Sequence, residues 1–193
     1  VKGKSPEPFI MYMPNMHGNL ETRFITNPLD FQCTGIFNYD PASVKSIDVK
    51  RPDSSQYSFK VDVLDDNKFA MTSNGKNMPV FDTSNVRTFI LGFQKIHFEQ
   101  HNYLIDDYAV DSLKKTTPWF AITVTDQQDK SKTALCYKKR MIYEKYDYDG
   151  NLIEFDRDRL WVITPDGELV VGQYYVFDKI LRDIRTFVPP AAL

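Results

Sequence analysis

RLWVITPDGELVVGQYYVFDKIL, residues 159–181, is the stretch on which the fold turns. Pro165 fixes its own φ, and Gly167 is free to take a positive one. Pro165-Asp166-Gly167 is therefore expected to turn the chain between two strands, Leu160 to Thr164 and Leu169 to Val171. Gly172 then releases the chain into a predicted helix, whose apolar stripe is Phe177, Ile180, Leu181, Ile184 and Phe187. An earlier stretch repeats this stripe at a constant offset, with Val86, Phe89, Ile90, Phe93 and Ile96 behind the cap-forming residues Asp82, Thr83 and Ser84. The opening stretch is thus read mainly as architecture, since turn, strand and amphipathic helix account for its letters.

Working outward, alternation at Ile47 and Val49, and again at Tyr57, Phe59, Val61 and Val63, predicts a hairpin around RPDSSQ. A short KFAM strand follows the Asp65-Asp66-Asn67 turn. The second half repeats the order: WFAITVTD, the polar turn QQDKSK, then TALCYKKR. The expected fold class is α+β, built as two related strand-strand-strand-helix units, with antiparallel sheets each covered by one helix. Residues 1–42 form an N-terminal strand, FIMYM, and a connector; 43–98 are the first repeat; 99–117 are a linker; 118–193 are the second repeat and a C-terminal tail. Burying five apolar side chains at ~1.5–3 kcal/mol each contributes roughly 7.5–15 kcal/mol per helix before chain entropy is subtracted. Neither helix is expected to leave its stripe in water.

Composition narrows the function classes. The chain has 193 residues, 42% hydrophobic and 26% charged, enough for a core without staples. Its 14 Phe, 11 Tyr and 2 Trp lean the reading toward sheet. Lys and Arg number 24 against 26 Asp and Glu, with the signs interspersed, which argues against a nucleic-acid partner. No apolar run approaches the ~20 residues of a membrane span, and the start, VKGKSPEPF, lacks the apolar core of a signal peptide. Cys33 and Cys136 match no metal spacing and are compatible with two free thiols or with one disulfide.

Three groups of residues invite a site. His97 and His101 flank Glu99 in HFEQH: on a continuing helix the imidazoles would lie on one face ~6 Å apart and could share an ion, whereas on an extended chain they lie ~13 Å apart. The extended form is the expectation, and no metal or cofactor is assigned. In DYDGNLIEFDRD, Asp147, Asp149 and Asn151 fit the first ligands of a calcium loop, with Glu154, Asp156 and Asp158 behind them. Leu152, however, stands where that loop needs Gly, and an Asp149-Gly150 turn explains the same letters. The carboxylate pairs Asp65-Asp66 and Asp106-Asp107 read as solvated turns, because neighbours in a turn point apart. There is no G-x-S-x-G, no phosphate-cradling glycine loop, and no evident His partner for either Cys, so no catalytic residue is assigned and the chain is read as non-enzymatic. A deep pocket gathering His17, His97 or a carboxylate pair would revive a hydrolase reading.

VKSIDVKRPDSSQYSFKV, FDTSNVRTFILGFQKIHFE and the closing hairpin and helix together resemble a bacterial domain-of-unknown-function family whose members accompany gliding-motility-type ABC transport components. The resemblance covers about residues 8–188. It implies an extracytoplasmic, periplasmic-side domain, anchored by an N-terminal membrane segment that these residues do not contain. The expected function is a non-enzymatic envelope domain that binds or scaffolds a protein partner, with an exposed apolar or aromatic patch on the sheet faces opposite the helices. The alternative is a module for glycans or a small molecule, with Tyr and Trp lining a cleft between the halves.

Overall fold

The computed structural model describes residues 27–65 and 68–188. The FIMYM strand, His17, the Asp66-Asn67 turn and the tail from 189 lie outside the described residues. Two compact units divide the chain, Val1–Gln32 and Cys33–Leu193. In the first, Asn27 accepts the Leu29 amide at 3.1 Å and opens a 3-10 turn, Pro28–Phe31.

The second unit is dominated by antiparallel sheet. Its strands are β1 (Gly35–Phe37), β2 (Val44–Lys50), β3 (Phe59–Asp65), β4 (Lys68–Ser73), β5 (Lys76–Asn77), β6 (Ile96–His97), β7 (Gln100–His101), β8 (Phe120–Asp126), β9 (Ser131–Arg140), β10 (Phe155–Ile163) and β11 (Leu169–Gln173). Its helices are α1 (Thr83–Leu91), α2 (Asp107–Lys114) and α3 (Tyr174–Phe177). β1 pairs with β6, and the other nine strands form one sheet in the order β5-β4-β3-β2-β8-β9-β10-β11-β7.

This arrangement overturns the expected α+β fold of two strand-helix units. β2 and β8 pair along Ser46↔Thr125 to Lys50↔Ala121, so the two hairpins are sewn into one sheet. The physical reason is shared geometry. Each hairpin alone would leave a row of amides unpaired and an apolar face half covered, and joining them satisfies both. Val49, Phe59, Ile122 and Ala134 lie in register across the join, all buried.

The two expected helices also sit in unlike settings. Asp82 caps α1 through hydrogen bonds from the Ser84 and Asn85 amides, at 2.9 and 3.0 Å, and α1 buries Val86, Phe89 and Ile90. It ends at Leu91, and Ile96 falls in β6. The second helix stops after one turn, at Phe177. Beyond it Asp183 accepts the Arg185 amide at 3.0 Å and sets a 3-10 turn, Ile184–Thr186, while Arg51 holds the same carboxylate at 3.3 Å. Local side-chain acceptance competes with helix propagation. Phe177, Ile180, Ile184 and Phe187 are buried nevertheless, on the same face of the same sheet as the α1 stripe. Phe89 meets Phe187 at 5.3 Å between ring centroids, and Phe59 meets Phe187 at 5.0 Å, so the two stripes share one core.

A smaller core lies on the opposite face. Tyr137, Trp161, Ile163, Leu169 and Val171 project there from β9, β10 and β11, and Ile105, Val110 and Leu113 of the α2 region pack on them. Residues 99–117 thus carry β7 and the helix that covers this face. Across β4-β3-β2-β8-β9 the same face is polar, with Thr72, Lys60, Asp48, Thr123 and Thr133 in register. Among the described residues, no helix is long and apolar enough to cross a membrane.

Candidate functional site

The opening stretch holds no reactive constellation. Gly167 takes φ +84° and its amide bonds the Thr164 carbonyl at 2.9 Å, closing the turn between β10 and β11. Gly172 lies under Phe177: a Cβ there would stand 2.7 Å from the Phe177 ring and 3.1 Å from Val162. Burial pushes the Tyr174 phenol up to about 12, and the neighbouring Asp156 charge adds to this. Tyr175 points into solvent.

The three motifs resolve into structure. His97 lies in β6 and His101 in β7, so HFEQH is extended and its two imidazoles belong to different sheets. His101 is buried, with Nδ1 2.5 Å from Glu168 Oε1, and the Nδ1 of His97 is buried with no hydrogen-bond partner among the described residues. Glu99 receives Arg159 through Nε at 2.6 Å and Nη2 at 2.8 Å. Those hydrogen bonds, opposed by burial, hold its carboxyl below the usual carboxylate range. No cluster of three metal-ligating residues occurs among the described residues.

In DYDGNLIEFDRD, the Asp147 carboxylate accepts the Asn151 and Asp149 amides at 2.8 and 3.0 Å, and Gly150 takes φ +81°. Leu152 pairs with Tyr146, so the segment is a hairpin tip. Asp156 is engaged elsewhere, with Lys139 at 3.1 Å. Burial raises its carboxyl, but the Asp158 and Arg159 amides and the Lys139 ammonium outweigh burial and leave it lowered. Asp106 caps α2 by accepting the Ala109 amide at 2.9 Å, and Asp107 is in the first turn of that helix. Of the Asp65-Asp66 pair, Asp65 ends β3, and neither side chain is among those described. Cys33 is exposed and Cys136 buried, both as free thiols; burial pushes Cys136 up to about 12.

Two features stand out that periodicity did not reveal. First, the excursion between β9 and β10 exposes Ile142, Tyr143, Tyr146, Tyr148 and Leu152, with Tyr143 80% exposed and Tyr148 fully so. Among the described residues, the polar face of β4-β3-β2-β8-β9 carries no such patch, although an apolar surface was expected on the face opposite the helices. The signal of the exposed patch in the sequence is the YEKYDY run, residues 143–148, just before the Asp149-Gly150 turn.

Second, both tryptophans of the chain line one cleft of about 450 Å³, with Tyr137 and Phe155. The expected cleft between the halves does not exist where β2 and β8 are hydrogen-bonded; the aromatic cleft opens where β8 begins, beside the paired strands β9 and β10. The β9–β10 register shifts between Phe155 and Leu160, and such a bulge re-aims side chains. Trp161 and Tyr137 are buried and form the floor, whereas Trp119 and Phe155 are half-buried and keep ring surface at the mouth. The Lys138 ammonium lies 5.3 Å from the Trp119 ring and 5.4 Å from the Phe155 ring. Arg140 lies 5.7 Å from Phe155. Comparison with family models, with curated proteins and with solved structures finds no match to this chain.

Proposed function

We propose that this chain is a non-catalytic binding domain, and that its working surface is the tyrosine-bearing hairpin between β9 and β10. The observation that carries the reading is the exposure of Tyr143, Tyr146 and Tyr148 together with Ile142 and Leu152 on one short excursion. A folded chain gains no stability by presenting such residues to water. Tyrosine gives a partner broad, rigid contact area for the loss of few rotamers, with a hydroxyl at its tip. The partner is a protein, and the setting is the cell envelope beside transport or motility machinery, as the family resemblance implies. The pushed-up Tyr174 and Cys136, and the engagement of Asp147, Glu99 and Asp106 in structural bonds, favour binding over chemistry.

Affinity capture from envelope extracts tests this, comparing the native chain with a variant in which Tyr143, Tyr146 and Tyr148 are serine. The expected result is a protein retained by the native chain and lost by the variant, with equal thermal stability of the two. An identical set retained by both would discard the hairpin as the docking surface. A second reading, a small-ligand site, is favoured by the convergence of Trp119 and Trp161 on one cleft within the about 300–1,000 Å³ typical of such sites.

A further inference from the structure

We infer that the cleft of Trp119, Phe155 and Trp161 binds an acidic sugar, a glycan unit bearing a carboxylate, through ring stacking and the Lys138 and Arg140 side chains. This rests on the small-ligand reading and adds the chemistry of the ligand.

The first argument is charge. Lys138 is exposed, sits between two ring faces, and has no carboxylate within ion-pair distance among the described residues. Arg140 beside it shares only the exposed Glu154, at 3.2 Å. The contrast with Lys139, one residue along, is direct. Lys139 is buried, neutralised by Asp156 at 3.1 Å, and serves the fold. Of these two neighbours on β9, Lys139 is put to structural use, whereas Lys138 lines the cleft as an exposed cation. An anion arriving there gains a charge-assisted contact at small desolvation cost, because the ammonium is still solvated.

The second argument concerns what else the cleft offers. An aromatic carboxylate would use the rings and the cations alone. The wall of this cleft also carries Asp53, an exposed carboxylate that pairs with Arg51 at 3.6 Å and can accept from ligand hydroxyls, the exposed Thr117, whose hydroxyl can donate or accept, and Pro118 beside Trp119. Half-exposed ring faces, a carboxylate and a threonine at the rim are the groups that a pyranose uses, with C–H bonds against the ring and hydroxyls to the side. The two cations then select the sugar with an acid group.

Because both tryptophans lie in this cleft, intrinsic fluorescence reports on it without a label. The intact chain is titrated with tetragalacturonate and, separately, with galactotetraose, which has the same ring but no acid. The expected result is a saturable change in tryptophan emission with tetragalacturonate, at least about tenfold weaker with galactotetraose and weakened by added salt. Lys138→Gln and Arg140→Gln, both at exposed positions, should each bring the acidic oligomer close to the neutral one while leaving the melting temperature in place. Equal binding of the two oligomers would overturn the charge inference but leave a sugar site. Saturation by neither would overturn both the inference and the small-ligand reading. Tight binding of tetragalacturonate unaffected by Lys138→Gln would place its site elsewhere.

Discussion

Gly172 shows how little room the core leaves. Its φ is unremarkable; what requires glycine is the Phe177 ring, which lies where a methyl group would go. Gly172→Ala forces the ring or β11 to move, so a loss of about 1–3 kcal/mol is expected, seen as a lower urea midpoint with an unchanged slope. The thiols give a second check at this scale. Cys33 is exposed, whereas Cys136 is buried and its ionisation pushed up to about 12. An aromatic disulfide reagent should therefore react with one thiol in the native protein and with both after denaturation. Two fast thiols in the native state would mean that β9 is open at Cys136.

At the scale of elements, the Glu99–Arg159 pair ties the segment before β7 to β10, while the Glu99 amide bonds the Val171 carbonyl of β11 at 2.8 Å. Glu99 is lowered in the folded chain from its ordinary 4.5, chiefly by the Arg159 hydrogen bond. A depressed carboxyl stabilises the fold fully above the unfolded value and loses that contribution as pH falls through the folded one. The stability difference between the native chain and Glu99→Gln should thus be constant near neutrality and shrink below pH 4.5, measured by urea midpoints along a pH series. With Arg159 partly exposed, the difference at neutral pH should stay under about 1 kcal/mol. The elements that the sequence made legible are those set by neighbours in the chain. The Pro165–Gly167 turn, the Asp82 cap and the alternation in β2 and β3 each depend on residues a few places apart. The second helix was not legible, because Ile180, Ile184 and Phe187 keep a helical spacing that a broken path buries equally well once Asp183 bonds Arg185 and Arg51.

For the whole molecule, the decisive contact is the one no local pattern announces, β2 against β8. Alternation told which face of each strand was apolar but not which strands would lie side by side, so one sheet was read as two. The cleft was hidden for the same reason: Trp119 and Trp161 are distant in sequence, and only the β8-β9-β10 order and the bulge near Phe155 bring them together. The core that the two stripes share makes a prediction that two strand-helix units would not. Phe89→Ala and Phe187→Ala should each cost about 3–5 kcal/mol, and the double mutant should depart from their sum by about 0.5–3 kcal/mol, because the rings touch. Additive effects, or separate unfolding transitions by tryptophan emission and by far-ultraviolet dichroism, would indicate independently folding halves.

The nine-stranded sheet ends in short strands, since the outermost, β5 and β7, are only two residues long. Such stubs offer few free amides for a stranger's backbone to zip onto, and Lys76 sets a charge on one of them. The tyrosines exposed between β9 and β10 lie between strands in the interior of the sheet order, apart from the rims where unwanted polymer growth would begin.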